Sequence, residues 1–279
     1  MVRGTLEVAL KLTGERPMEG ATPDSLLALH DAGYREVRAR LGPGVVLDVG
    51  CGIGAETERL GAPERFVIGA DYSTETVRLA ASTYATRPAD DGPLRFLASD
   101  GAVLGLRSGS VDYVVSSHII EHFVNPALHA IELARVLRPD GTALIITPNA
   151  PADFENPFHV YLFEPEHLVS LLSLCFDDVT CFGIDGDDVL KADFAARRAR
   201  GDRLLRLDRL GLRKRIPHRT YVWAYERILP LTYKVLGQKS SGIGSGIDAS
   251  HFSLRDDVQR DTPVLFAVAR KPRIAGAGL

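Results

Sequence analysis

Residues 46–54 read VLDVGCGIG, a short apolar run followed by three glycines at alternate positions. The run 45–49 has the length and β-branched content of a buried strand, and the glycines predict a tight turn into a helix. Glycine is needed in such a turn because a side chain would block a ligand that approaches the backbone. The helix N-terminus that follows favours negatively charged ligand groups. This stretch therefore predicts a strand–loop–helix unit with a ligand at the loop.

An acidic residue follows the glycine loop at a distance typical of nucleotide binding. Asp71 lies 21 residues after Gly50 and ends the next apolar run, residues 66–70. A carboxylate there can accept hydrogen bonds from both hydroxyls of a ribose. Gly50, Gly52 and Ala55 also satisfy the permissive G-x-G-x-x-G/A pattern. Loop and acid together indicate an adenosine-bearing ligand, and by themselves they leave a nicotinamide cofactor open.

The chain beyond the loop alternates apolar runs with helix-period segments. Further runs lie at 94–98, 111–115, 142–146, 176–183 and 264–269, and helices are expected at 73–86, 126–137 and 164–174. Such alternation predicts an α/β fold with a parallel sheet covered by helices on both faces. Ligands bind such sheets at the carboxyl ends of the strands, which is where the polar clusters of this sequence lie.

Composition excludes several classes of protein. The 279 residues are 45% apolar and 25% charged, as in an ordinary globular protein that needs no disulfide or metal to fold. The three cysteines lack framework spacing, which suits a reducing compartment. We find no signal-peptide pattern and no run of roughly 18 uncharged apolar residues, so we expect a cytoplasmic location.

Charge is unevenly distributed. Residues 191–239 hold 14 Lys and Arg against 4 Asp and Glu, whereas the rest of the chain holds 19 against 32. We therefore expect a core formed by 1–183 plus 259–279 and a basic helical insertion at 184–258 that acts as a substrate lid. Its cations suit the phosphates of a lipid- or nucleotide-linked sugar, or a peripheral contact with the inner face of an anionic membrane. The acidic remainder argues against nucleic acid as a partner.

Five segments, taken in order, resemble the motifs of the class I S-adenosylmethionine-dependent methyltransferases. They are VLDVGCGIG at 46–54, VIGADYS at 67–73, ASDGAVLGL at 98–106, VDYVVSSHIIEHFVNP at 111–126 and RVLRPDGTALIITPN at 135–149. The resemblance covers about residues 40–183 and the final strand. It implies a Rossmann-like, seven-stranded, mostly parallel sheet with a helical insertion before the last strand, and S-adenosylmethionine as the cofactor. A dehydrogenase would not be expected to carry the acidic end of the third strand.

The resemblance also implies a cofactor site of nine residues: Asp48, Gly50, Gly52, Gly54, Asp71, Tyr72, Asp100, Gly101 and Ser117. The glycines would hold the methionine part, and the acid before them would orient the loop or reach the amino group through water. Asp71 would hold the ribose while Tyr72 packs on the adenine. The two residues after the third strand would bind the adenine edge, and Ser117 would line the methionine end.

A general base is expected beside the cofactor's sulfur if the acceptor is a hydroxyl. His118, Glu121 and His122 follow the fourth strand at helical spacing, which would place them on one face. The pattern resembles the Glu-x-x-Glu-His of ubiquinone-pathway O-methyltransferases, which implies these three residues as ligands of a divalent metal. An imidazole in place of the first carboxylate favours a softer metal than magnesium. The alternatives are a metal-free base at His118 or His122 and a purely structural role.

Residues 156–166 resemble a segment of methyltransferases encoded with surface-polysaccharide and sugar-modifying enzymes. The resemblance implies a loop over the cofactor mouth, with His159 and Tyr161 toward the acceptor. The sequence thus predicts O-methylation of a sugar hydroxyl in a glycan or glycolipid. A small phenolic or polyketide-like acceptor, a carboxyl or nitrogen acceptor, and a non-catalytic binding protein remain as alternatives.

Overall fold

A computed structural model of the chain describes residues 22–86, 89–153, 158–205 and 246–273. The helices are α1 Asp24–Arg38, α2 Ala55–Glu58, α3 Thr74–Thr83, α4 Pro126–Val136, α5 Pro165–Leu172 and α6 Asp188–Leu205. The strands are β1 Gly44–Val49, β2 Arg65–Asp71, β3 Leu94–Ala98, β4 Val111–Ser117, β5 Leu137–Pro148, β6 Phe176–Gly186, β7 Phe252–Arg255 and β8 Val264–Pro272. Short 3₁₀ turns lie at Ala89–Asp91, Ile120–His122 and Ala249–His251.

The strands form one sheet in the order β3-β2-β1-β4-β5-β8-β6-β7. The first five strands run parallel, and β8 is antiparallel to both β5 and β6. The predicted α/β fold and its seven strands are confirmed. The eighth, β7, was missed because its four residues alternate in burial over too short a length to stand out from a loop.

Both faces of the sheet are covered, as predicted. Along β1, Val46 belongs to an apolar cluster with Val37 of α1, while the adjacent Leu47 belongs to a second cluster with Leu133 of α4. Successive side chains of a strand point to opposite faces, so the two clusters lie on opposite sides of the sheet. The carboxyl ends of the central strands are thereby held between two packed layers.

The segment between β6 and β8 is not helical throughout. It begins with α6, and β7 returns to pair with β6 from Gly183 to Gly186. Its two described ends meet, since the amide of Asp187 donates to the carbonyl of His251 at 3.0 Å. Residues 206–245, which include most of the basic segment, lie outside the described residues. None of the described helices is long and apolar enough to cross a bilayer.

Helix α1, which no motif predicted, is attached to the rest of the fold by polar contacts. The Tyr34 hydroxyl donates to Asp48 of β1 at 3.0 Å, and the Arg35 guanidinium donates to the carbonyls of Ala249 and Phe252 at 2.6 and 2.9 Å. Asp48 also accepts a hydrogen bond from Thr57 of α2 at 2.5 Å. One fully buried carboxylate thus joins α1, β1 and α2.

We predict that Asp48→Asn makes the stability of the protein less dependent on pH. Burial raises the pKa of Asp48 to about 7, above its ordinary value of 3.8. The folded chain therefore holds this proton more tightly than the unfolded chain, and stability falls as pH rises from about 4 to 7, by at most about 1.4 kcal/mol per pH unit. In urea denaturation, the free energy of unfolding of the variant, relative to that of the parent, should be higher at pH 8 than at pH 5. An equal difference at both values would contradict the prediction.

Candidate active site

A cavity of about 460 Å³ opens where β1, β2 and β4 end, a volume within the range of small-molecule sites. Its walls come from the glycine loop, the end of β2, the loop after β3, the turn after β4, and α1. Seven of the nine predicted cofactor residues line it: Gly50, Gly52, Asp71, Tyr72, Asp100, Gly101 and Ser117. Asp48 and Gly54 do not.

The three glycines of the loop have left-handed backbone conformations for different reasons. Gly50 has φ +79°, and a Cβ there would overlap the Ile119 side chain. Gly54 has φ +85° and packs against Phe96, so its contribution is structural. At Gly52, with φ +53°, a Cβ would meet nothing within 4 Å. Gly52 is therefore the glycine whose missing side chain leaves room for a ligand.

Asp71 is held rigidly at the cavity wall. Its Oδ2 accepts a hydrogen bond from the Gly52 amide at 3.1 Å, and its Oδ1 accepts one from the Ser73 amide at 2.9 Å. The side chain is 5% exposed. A fixed carboxylate at the end of the second strand is the arrangement that receives two ribose hydroxyls. The geometry therefore fits the predicted role of this residue.

The part of the cavity wall formed by Asp100 and Gly101 depends on a residue that was not predicted from the sequence. His129 of α4 is fully buried, with Nδ1 2.7 Å from the Gly101 carbonyl and Nε2 2.9 Å from the Ser116 hydroxyl. Burial lowers the pKa of His129 to about 4, so the ring is neutral and one of its nitrogens donates while the other accepts. Asp100 is exposed at this edge, where it accepts from the Ala102 amide.

His118 is the most unusual residue of the site. It has φ +54°, a conformation that is rare for residues with side chains and concentrated at functional positions. Its Nδ1 lies 3.6 Å from Oε1 of Glu121, and its Nε2 is buried without a hydrogen-bond partner among the described residues. The side chain lines the cavity. The adjoining Ser117 hydroxyl also lines the cavity and also lacks a partner in the described part of the chain.

A second imidazole from α1 lies against His118. The rings of His30 and His118 are 4.5 Å apart, and burial, together with the neighbouring imidazole, lowers the pKa of His30 to about 3. His30 and Tyr34 both line the cavity. Neither residue was predicted, because α1 carries no family motif. The one available signal was two polar ring side chains four residues apart on a helix, hence on one face.

Glu121 is buried to 1% exposure beneath this turn. One carboxylate oxygen accepts from the Thr147 hydroxyl at 3.0 Å, and the other, Oε1, is buried without a hydrogen-bond partner among the described residues. Burial disfavours the charge, but the nearby imidazoles of the cluster outweigh it and lower the pKa of Glu121. Its backbone carbonyl accepts from the amides of Val160 and Tyr161, both at 2.9 Å. Glu121 therefore fixes the loop that follows residue 157.

The predicted trio His118, Glu121 and His122 does not share a helical face. The backbone turns left-handed at His118, and only Ile120–His122 forms a short 3₁₀ turn. The third residue that approaches Glu121 and His122 is His159, and one ligand atom of each lies within 4.8 Å of the others. Among the described residues this is the group of His, Cys, Asp or Glu that converges. The predicted trio is therefore not brought together on one face, and Glu121 and His122 approach His159 instead.

His122 and His118 line the cavity, whereas His159 lies behind His122, with ring centroids 5.2 Å apart. Segment 156–166 was predicted to fold over the mouth of the cavity with His159 and Tyr161 toward the acceptor, but neither side chain is among the described residues that line the cavity. The described lining contains three carboxylates, those of Glu56, Asp71 and Asp100, and neither Lys nor Arg.

A family model described as a methyltransferase domain matches residues 47–145, which span β1 to β5. A probable S-adenosylmethionine-dependent methyltransferase of Mycolicibacterium smegmatis is 34% identical over 174 residues, covering 60% of this chain and 65% of that protein. A similar protein of Mycobacterium tuberculosis is 32% identical, covering 63% and 64%. Nocamycin O-methyltransferase of Saccharothrix syringae is 36% identical, covering 46% and 50%. The chain thus spans slightly less than two thirds of the length of the first two relatives and half of the length of the third.

Solved structures agree on the fold. A possible histamine N-methyltransferase of Thermotoga maritima superposes with a TM-score of 0.55 at 13% identity, covering 88% of this chain and 91% of that one. The [4+2]-cyclase SpnF gives the same TM-score at 17% identity, covering 89% and 81%. The family match shows a methyltransferase domain over residues 47–145, and the motif order, the cavity and the relatives named as S-adenosylmethionine-dependent methyltransferases agree with it.

We predict different consequences for alanine at two glycines of the loop. Gly50→Ala should destabilise the protein by about 1–2 kcal/mol from its left-handed φ and by a further 1–3 kcal/mol, roughly, from overlap with Ile119. Gly52→Ala carries only the first penalty, but its methyl group enters the cavity. It should weaken S-adenosylmethionine binding by about tenfold, or about 1.4 kcal/mol. Thermal denaturation and titration calorimetry check both, and unchanged binding by Gly52→Ala would contradict the assigned ligand position.

Proposed function

We propose that this chain transfers the methyl group of S-adenosylmethionine to a hydroxyl oxygen, with His118 as the general base. The observation that carries the proposal is the position of His118. It lines the cavity that the cofactor-binding residues form, its Nε2 is buried without a partner among the described residues, and its Nδ1 faces the carboxylate of Glu121. An imidazole oriented by a buried carboxylate is a general arrangement for accepting a proton.

The residues around the cavity suggest how the cofactor is oriented. Asp71 would hold the ribose, because its carboxylate is fixed at the end of β2. The methionine part would lie along Gly52, whose Cβ position is open, and reach the Ser117 hydroxyl. The sulfonium would then stand near the turn after β4. The enzyme's main contribution would be to align the acceptor oxygen with the methyl carbon.

The proposed step is a single displacement. The acceptor oxygen attacks the methyl carbon, the carbon–sulfur bond breaks with its electron pair moving to sulfur, and S-adenosylhomocysteine leaves. The hydroxyl proton passes to Nε2 of His118, and the ionised Glu121 stabilises the resulting imidazolium. His30 stays neutral beside it because its pKa is lowered to about 3, so the pair does not hold two positive charges.

The proposed acceptor is a sugar hydroxyl in a glycan or glycolipid. A neutral acceptor suits a described lining with three carboxylates and no cation. The second candidate is a small phenolic or polyketide-like metabolite, which the similarity to the nocamycin O-methyltransferase favours. A carboxylate acceptor, which is already ionised at neutral pH, would not require the base at His118.

The proposal includes a cytoplasmic location with peripheral attraction of segment 191–239 to anionic phosphates. Its net charge of +10 supports this attraction, and most of the segment lies outside the described residues. Flotation with vesicles rich in anionic lipid at low salt tests the membrane contact. Failure to float would leave the basic segment as a lid or a solvated surface.

We predict that His118→Gln lowers the rate of methyl transfer about 100- to 10,000-fold, the usual contribution of a general base. S-adenosylmethionine binding should remain, because the ribose and methionine contacts are unchanged. The matched control is His167→Ala on α5, an exposed position away from the cavity, which should leave transfer unchanged. Both are measured with labelled S-adenosylmethionine and fractionated extract of the source cell. Full activity of His118→Gln would exclude it as the base.

The same labelling experiment distinguishes the acceptors. Label in the glycan or glycolipid fraction is the expected result, whereas label confined to small apolar metabolites would favour the second candidate. Asp71→Ala should abolish labelling in either fraction by removing the ribose contact. A wild-type chain that binds no S-adenosylmethionine and transfers no label would indicate a non-catalytic binding protein.

A further inference from the structure

His30 of α1 is a polar side chain of the cavity wall that the proposed cofactor contacts do not use. Its ring lines the cavity beside His118, and the centroids of the two rings are 4.5 Å apart. Tyr34, the other polar side chain that α1 contributes to the wall, already donates its hydroxyl proton to Asp48 at 3.0 Å. The His30 ring, by contrast, forms no hydrogen bond with any of the described residues. It is therefore open to a ligand.

The chemistry of the His30 ring suits a neutral hydroxyl. Burial lowers the pKa of His30 to about 3, so the ring carries one N–H donor and one nitrogen acceptor. A hydroxyl also both donates and accepts, so the two groups can pair in either direction. A ligand carboxylate could use only the donor, and it would be repelled by the ionised Glu121, whose charge acts on His30. The carboxylate of the cofactor is therefore a poor partner for this ring.

The distance between His30 and His118 favours one ligand that contacts both. Each ring can reach an oxygen through a hydrogen bond of roughly 2.8 Å, so rings with centroids 4.5 Å apart reach two oxygens of the same small molecule. In the proposed step, His118 takes the proton of the attacked hydroxyl. His30 then remains for a second polar group close to the first.

Contacts on either side of His30 fix the helix that carries it. Asp31 accepts a hydrogen bond from Arg59, just beyond α2, at 2.8 Å. Arg35 donates to two backbone carbonyls at and just before the start of β7. The position of the ring is thus set before a ligand arrives, and a preorganised group selects a ligand geometry at a small cost in entropy.

We infer that His30 binds a second hydroxyl of the acceptor, beside the hydroxyl that His118 deprotonates, so that the site selects molecules with two neighbouring hydroxyls. Sugars and catechol-like phenols belong to this class, whereas molecules with one isolated hydroxyl do not. The role given to His118 rests on the proposed function. The binding of a diol by the two imidazoles does not require methyl transfer.

The experiment measures binding to the full chain saturated with S-adenosylhomocysteine, so that no turnover occurs. The probes are catechol and phenol, which differ by one hydroxyl. Catechol should bind about tenfold more tightly, the effect of one additional hydrogen bond. His30→Phe keeps an aromatic ring against His118 but removes both nitrogens, so it should abolish the difference. His30→Gln, whose amide can donate and accept, should keep part of it, and the matched control His167→Ala should keep all of it.

Unchanged affinity for S-adenosylhomocysteine in the His30 variants shows that the fold and the cofactor site are intact. The inference is overturned if the parent does not prefer catechol, or if His30→Phe retains the preference. It is also overturned if both His30 variants weaken S-adenosylhomocysteine binding, because the ring then contacts the cofactor or only supports the fold. Diol binding without methyl transfer would remove the proposed function and leave this inference. Methyl transfer without a preference that depends on His30 would do the reverse.

Discussion

The burial of one carboxylate, that of Glu121, organises the side of the cavity that follows β4. A charge removed from water must be satisfied locally, and here the Thr147 hydroxyl and a ring of imidazoles surround it. The same residue's backbone carbonyl binds the amides of Val160 and Tyr161. The end of β4, the end of β5 and the loop that returns from residue 158 are therefore held together at a single point. The glycine loop and Asp71, on the other side of the cavity, are joined by a separate hydrogen bond from the Gly52 amide to the Asp71 carboxylate.

That division explains what could be predicted from the sequence. The residues expected to bind the cofactor lie in contiguous sequence motifs. The strands, the glycine loop and the position of Asp71 could therefore be predicted from the spacing of residues along the chain. The acceptor side is assembled from distant segments. His30 comes from a helix without a motif, and His159 from a loop 38 residues after Glu121. His118 was expected on one helical face with His122, but a single residue at φ +54° ends that periodicity. A positive φ at a residue other than glycine is difficult to predict from a sequence, because no residue type marks it reliably.

The fold itself does not select a reaction. Its structural neighbours include a possible histamine N-methyltransferase and a [4+2]-cyclase, which have the same TM-score. What can differ between proteins of this architecture is the set of side chains beyond the cofactor. Here that set is rich in imidazoles and poor in cations among the described residues, which favours proton transfer from a neutral acceptor over recognition of an anionic one. The assignment of O-methylation rests on these side chains and not on the sheet.

The amide of Asp187 donates a hydrogen bond to the carbonyl of His251, next to the pairing of β6 with β7. This contact brings together the two ends of the long segment between those strands. Closing a loop becomes only about 0.6 kcal/mol more unfavourable each time its length doubles. The intervening segment can therefore lengthen, shorten or be exchanged with little effect on the sheet or on the cofactor cavity.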